Sequence, residues 1–239
     1  MMKLQETIER ICVLDEQAMK DSWEHWDSLC KPLRGFGRLE EMVVQLAGIQ
    51  QTAHPHCDKR AVVIMGADNG VVKEGVSQCG SEVTAQVLEN MGAKISSVCI
   101  MSRILNAEVI PVNIGVKTDG IHPRIRNLAV KHGTDNIVEG PAMSRDECIR
   151  AIETGIAIVE ELKRAGYELV ITGEMGIGNT TTSSACAAVL FDKDPEFVTG
   201  RGAGLSTEGL RRKIEVVGLA LERNRPDPGD PIDIVSKVG

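Results

Sequence analysis

Aromatic residues are scarce in this 239-residue chain, which has two tryptophans, one tyrosine and three phenylalanines. With Tyr167 the only tyrosine, the ring platforms on which unpaired bases stack are missing. Positive charge is also short, and a net charge of −7 excludes the basic footprint of a nucleic-acid surface. No apolar run approaches the roughly 20 residues of a membrane span, so neither nucleic acid nor membrane is expected as a partner. The opening residues, Met1 to Glu6, are charged and amphipathic and do not read as a secretory core. There is no Cys-x-x-Cys pair. The seven cysteines (12, 30, 57, 79, 99, 148 and 186) are odd in number and widely spread, which fits reduced thiols in a cytoplasmic protein better than a disulfide framework. His54-Pro55-His56-Cys57-Asp58 matches no standard zinc spacing and has no second ligand pair; it reads as a solvated loop, and His25, His122 and His132 stand alone. A nucleophile elbow, a P-loop and a dinucleotide fingerprint are all absent, so no standard ATPase, hydrolase or dinucleotide site is expected, and no metal or cofactor.

Glycine (24 residues) and aliphatic residues, by contrast, are plentiful, and this mixture favours an α/β protein with tight strand-to-helix turns. Residues 4–19 place Leu4, Ile8, Ile11, Cys12 and Leu14 on one helical face. Lys31 to Glu40, with one proline and two glycines, reads as a connector rather than a reaching arm, and Leu39 to Ile49 as an amphipathic helix. Ala61 to Ala67 is almost wholly apolar, as a central parallel strand covered on both faces must be. It ends at Asp68-Asn69-Gly70, a ligand position at a strand's carboxyl end and, with equal weight, ordinary turn chemistry. A helical pattern with a break near Gly92 covers 82–105, and a second strand covers 107–114. Val116 to Gly140 is an excursion with a short strand at 125–130. Ser144-x-x-Glu147 is a capping box before a helix over 148–165. Strands alternating with helices predict a doubly wound parallel sheet. The expected division is a helical part over 1–50 and an α/β core over 51–239.

The densest chemistry lies at Gly173-Glu174-Met175-Gly176-Ile177-Gly178-Asn179-Thr180, after the apolar run 168–172 and before a small-residue helix. Strand, glycine-rich turn and helix turn backbone N–H groups toward an anion. On this reading Glu174 is a carboxylate set inside the turn. A second glycine-rich stretch, Gly200-Arg201-Gly202-Ala203-Gly204, precedes a helix that carries Lys213 in its first two turns. Two such turns with two cations nearby predict a phosphate site; the competing reading is close helix–strand packing by glycine.

The motif Gly173 to Thr181 resembles the signature of the nicotinate-nucleotide:dimethylbenzimidazole phosphoribosyltransferase family. Further family-like motifs follow in order: Lys31-Pro32 with Gly37-Arg38-Leu39-Glu40, Ala67 to Val71, Glu82 to Gln86, Gly133 to Asn136, Pro141-Ala142-Met143, Gly200 to Leu205, and Pro226 to Pro231. The resemblance implies a doubly wound parallel α/β domain with a small helical domain made from the chain ends, in a homodimer. It implies transfer of phosphoribose from nicotinate mononucleotide to dimethylbenzimidazole, with inversion at the anomeric carbon. It assigns Glu174 as an auxiliary carboxylate. It assigns Gly176, Ile177, Gly178, Asn179, Thr180, Arg201, Gly202, Gly204, Lys213, Asp68, Ser81 and Gln86 to substrate binding, with Ser81 and Gln86 toward the benzimidazole. Three departures bear on which base is accepted: Asn69 where the family often has histidine, Arg34 and Phe36 in the first motif, and Gln78-Cys79-Gly80. The family pattern continues past Gly239 with a segment that holds its principal glutamate, for which this chain has no counterpart. The alternative expectation is therefore a nucleotide-binding chain without catalysis.

Overall fold

The computed structural model describes residues 2–118 and 121–239; Asp119 and Gly120, inside the expected excursion, lie outside the described residues. The chain divides into two units, Met2–Asp58 and Lys59–Gly239.

The first unit is helical: α1 (Met2–Glu9), α2 (Glu16–Ser28) and α3 (Arg38–Gln50). The single helical face expected over 4–19 does not form. Asp15 caps α2 by accepting from the Ala18 N–H at 2.9 Å, and its own N–H goes to the Gly48 carbonyl. This fixes a helix start where the apolar spacing ran on, and Ile11 and Val13 are left in solvent. The connector between α2 and α3 is organised by Glu40, which is fully buried. Its carboxylate takes the Lys31 ammonium at 2.9 Å and the Phe36 N–H at 3.1 Å. Burial alone raises the Glu40 pKa, but these two donors and the Arg34 charge outweigh it and hold the carboxyl below its ordinary value.

The second unit is built on a four-stranded, all-parallel sheet. Its strands are β1 (Arg60–Ala67), β2 (Ala107–Gly115), β3 (Arg126–Asn127) and β4 (Leu169–Met175), in the order β3-β2-β1-β4. Alternation along β1 sends Val62 and Ile64 to one face, where they meet Leu88, Met91 and Cys99. Ala61 and Val63 go to the other, against Ile158 and Leu162. The first set comes from α4 (Glu82–Gly92) and α5 (Ser97–Ile104), the second from α6 (Arg145–Arg164), so both faces are covered. The helical pattern over 82–105 does break after Gly92, and α6 opens with the Ser144–Glu147 capping box. The remaining helices are α7 (Asn179–Leu190), α8 (Pro195–Val198), α9 (Thr207–Asn224) and α10 (Pro231–Val238). The last of these seals its Ile234 and Val238 against Ala185 of α7 and Val217 of α9, so this end of the chain packs within the second unit.

The strand order sets where a ligand fits. From β1 the chain moves outward to β2 and β3, then returns through α6 to the opposite side of β1 for β4. The direction of winding reverses at β1, and the carboxyl ends of β1 and β4 open a crevice between diverging connections.

Candidate functional site

That crevice holds a cavity of about 270 Å³. Its walls come from three segments: Val76 to Cys79 after β1, Met175 at the end of β4 with Gly176 to Thr180 beyond it, and Arg201, Gly202, Ala203 and Leu205 before α9, with Lys213 on α9. Among the residues marked in the sequence, Gly176, Ile177, Gly178, Asn179, Thr180, Arg201, Gly202 and Lys213 therefore share one wall system.

The glycine-rich turn is shorter than its sequence implies. β4 runs on through Gly173, Glu174 and Met175, with Glu174 paired to Met65 and Met175 to Gly66. Glu174 is thus a strand residue and not part of the turn, which corrects its placement inside an anion-binding loop. The turn proper is Gly176-Ile177-Gly178. A Cβ on residue 176 would lie 2.4 Å from the Ala67 carbonyl oxygen, so only glycine lets the chain pass β1 this closely. Gly178, with φ of +93°, is the N-cap of α7 and has no side chain to satisfy the helix start. The α7 N-terminus, with its partial positive charge, thus meets the cavity without a side-chain cap.

Lys213 is the buried charge in this site. It is 1% exposed. Its ammonium donates to Thr180 Oγ1 at 2.6 Å and to the Gly200 carbonyl at 3.2 Å. Both partners are neutral, and among the described residues no carboxylate pairs with it. Burial pushes its pKa below the ordinary lysine value, since nothing nearby repays the desolvation of the cation. A Cβ on Gly202 would come within 3.5 Å of this nitrogen, so the second glycine loop folds directly over it. Arg201 behaves differently. Its guanidinium turns back to the Leu205 carbonyl and the Thr207 hydroxyl, stiffening its own loop. Gln78 reaches across the mouth and donates to the Gly204 carbonyl at 2.5 Å, tying the first wall to the third.

The other marked residues stand apart from the cavity wall. The Glu174 carboxylate accepts from the Asn179 side-chain amide, whose residue does line the cavity. Desolvation pushes the Glu174 pKa up, against the lowering effect of that amide. Asp68 is buried at the end of β1, where Oδ2 accepts from the Lys117 N–H at 2.8 Å and Oδ1 has no partner. Ser81 precedes α4 and Gln86 lies exposed on it. Two further residues touch the loop: Asn69, marked in the sequence only as a turn residue and a departure from the family pattern, and Thr84, inside the Glu82 to Gln86 motif but given no role of its own. Asn69 Nδ2 donates to the Ile177 carbonyl at 3.0 Å, and the Ile177 N–H donates to Thr84 Oγ1 at 3.1 Å. The Ile177 N–H is therefore not turned to the cavity. The only trace of this in the sequence is a threonine on the inward face of an amphipathic helix.

A parallel α/β sheet, with a glycine-capped helix and a buried unpaired lysine at its switch point, defines a protein suited to a small anionic ligand. Comparison with known proteins then narrows the class. A phosphoribosyltransferase family model matches residues 11–239. The nicotinate-nucleotide–dimethylbenzimidazole phosphoribosyltransferase of Alkaliphilus metalliredigens is 47% identical over 100% of this chain and 69% of its own length. Its counterpart in Acetivibrio thermocellus is 50% identical over 98% and 67%. The crystal structure of CobT from Thermus thermophilus superposes with a TM-score of 0.88 at 36% identity, covering 93% of this chain and 67% of that one. The chain belongs to the nicotinate-nucleotide–dimethylbenzimidazole phosphoribosyltransferase family and is a transferase; it spans about two thirds of the length of these relatives.

Proposed function

We propose that the protein transfers the phosphoribosyl group of nicotinate mononucleotide to 5,6-dimethylbenzimidazole. The products are nicotinate and α-ribazole 5'-phosphate, for the nucleotide loop of cobalamin. The observation that carries this reading is Lys213: a buried ammonium with only neutral partners, set under two glycine loops and beside the start of α7. An anionic group of the nucleotide is the counter-charge that this arrangement lacks.

The chemistry follows from the substrates. The pyridinium nitrogen of the nucleotide leaves with the electron pair of its bond to the ribose C1', so departure needs no general acid. A benzimidazole nitrogen attacks C1' from the opposite face, which inverts the anomeric centre, and the other ring N–H becomes acidic. Glu174 serves as an auxiliary carboxylate. Its raised pKa moves it toward the range in which a carboxylate accepts a proton at neutral pH. Glycines 176, 178, 202 and 204 allow close approach of the ligand, and Asn179, Thr180 and Arg201 contribute polar contacts. Asp68, Ser81 and Gln86 complete the substrate-binding set, the last two on the side of the benzimidazole base.

The protein is further proposed to act as a cytoplasmic homodimer. Seven free cysteines fit a reducing compartment. Among the described residues no helix is long and apolar enough to cross a membrane. The outer face of α5, with Ile100, Met101 and Ile104 in solvent, offers an apolar surface for a second copy, and sedimentation velocity reads the oligomeric state.

The decisive experiment incubates the chain with nicotinate mononucleotide and dimethylbenzimidazole and follows both products by chromatography. Nicotinate and α-ribazole phosphate appearing in equal amounts is the expected result. A folded chain that yields neither product refutes the transferase reading for this chain, and titration with the nucleotide then shows whether binding remains.

A further inference from the structure

The backbone of Ile177 is gripped on both sides of its Cα by residues distant in sequence. Its carbonyl accepts from the side-chain amide of Asn69, which follows β1, and its N–H donates to the hydroxyl of Thr84, on α4. Both side chains are buried, and Thr84 is wholly so. The gripped residue sits in the turn between the close approach at Gly176 and the N-cap Gly178, which itself lies against Val72 and Asn69. Ile177 and the two residues of that N-terminus that follow Gly178, Asn179 and Thr180, all line the cavity.

From this geometry we infer that Asn69 and Thr84 are positioning residues: together they lock the backbone of Ile177 on both sides of its Cα, and through it hold the α7 N-terminus at the angle that receives the anionic end of the nucleotide. The inference rests on the cavity being the nucleotide site. Without Asn69 the carbonyl turns freely, and without the Thr84 hydroxyl the N–H loses its acceptor. In either case Gly178, unrestrained by a side chain, lets the helix start shift. The two side chains hold the two peptide groups that flank one Cα, that of Ile177, so their contributions are coupled and not additive.

The test is calorimetric titration of the intact chain with nicotinate mononucleotide, paired with amide hydrogen exchange at Ile177. In Asn69→Ala and in Thr84→Val the Kd is expected to weaken about three- to tenfold, the scale of one net hydrogen bond. Binding stoichiometry stays at the wild-type value, and exchange at Ile177 accelerates. Thr84→Ser, which keeps the acceptor, restores the Kd, and the double variant is less impaired than the product of the singles. A merely structural role would lower the stoichiometry and melting temperature while leaving the Kd of the folded fraction alone; that result overturns the inference. So does a Kd unchanged in both single variants. If the wild-type chain binds no nucleotide, the reading of the site itself fails, a result visible before any variant is made.

Discussion

Replacing Lys213 by methionine separates the two things this residue does. Methionine fills nearly the same space and removes the charge. On the stability side, the substitution removes hydrogen bonds to Thr180 and Gly200, each with a net worth of about 1 kcal/mol. It also relieves the desolvation of a cation that has no acidic partner, a penalty of several kcal/mol in a protein interior. The balance is a chain as stable as wild type or more stable by about 1–2 kcal/mol, which for a chain of this size raises the melting temperature by a few degrees. On the binding side, a charge-assisted contact to the nucleotide is lost. That costs about 1.5–3 kcal/mol, or roughly 10- to 150-fold in kcat/KM for nicotinate mononucleotide. The sign of the pH effect is fixed by the same burial. Because the folded pKa lies below the unfolded one, the penalty is fully present below the folded value and disappears as pH rises to the unfolded value. Wild-type stability therefore gains on the alkaline side, whereas nucleotide affinity falls there as the ammonium discharges. In the methionine variant both trends flatten. Thermal melts and steady-state kinetics across pH measure this directly. A variant that is markedly less stable, with nucleotide kinetics unchanged, refutes the argument: Lys213 would then be a structural lysine satisfied by its two oxygens.

Other substitutions test other parts of the site. Glu174→Gln is expected to lower turnover about tenfold or more if the carboxylate takes a proton, with little change in nucleotide KM. The raised Glu174 pKa places the acid limb of the wild-type pH–rate profile above that of an ordinary glutamate. The same shift makes the folded state lose stability as pH climbs through that pKa, a loss that the glutamine variant lacks. Gly178→Ala combines a φ of +93° with a Cβ 2.9 Å from Val72. Denaturant unfolding should report a loss of about 1–3 kcal/mol, and nucleotide affinity should fall with it. Ser144→Ala opens the capping box of α6 away from the cavity; a loss of about 1 kcal/mol with unchanged nucleotide affinity is expected from the same assays.

Much of the architecture was legible locally. Alternating and continuous apolar runs located β1, β2 and β4, and the break after Gly92 and the start of α6 each carry a side-chain or glycine signal within a few residues. The site was legible in kind, through glycine density and two cations, but not in membership. Gln78 and Cys79 meet Gly202 and Thr180 only because the sheet reverses its winding at β1. Asn69 and Thr84 reach Ile177 across about one hundred residues of chain, a contact that no local pattern encodes.

The sequence by itself determined the element types, the glycine-rich turn and its cations, because helix caps, strand alternation and glycine's freedom act over a few residues. Only the tertiary structure decided where those elements stop and what they face. β4 extends to Met175 because β1 is there to pair with it, which takes Glu174 out of the turn. The helical spacing of residues 4–19 gives way at Asp15, whose side chain caps α2 and whose N–H finds Gly48. Lys213 loses its water to the loop packed over it. Pairing, capping partners and burial are properties of the assembled neighbours, and a lysine reads the same in sequence whether it faces solvent or the seat of an anion.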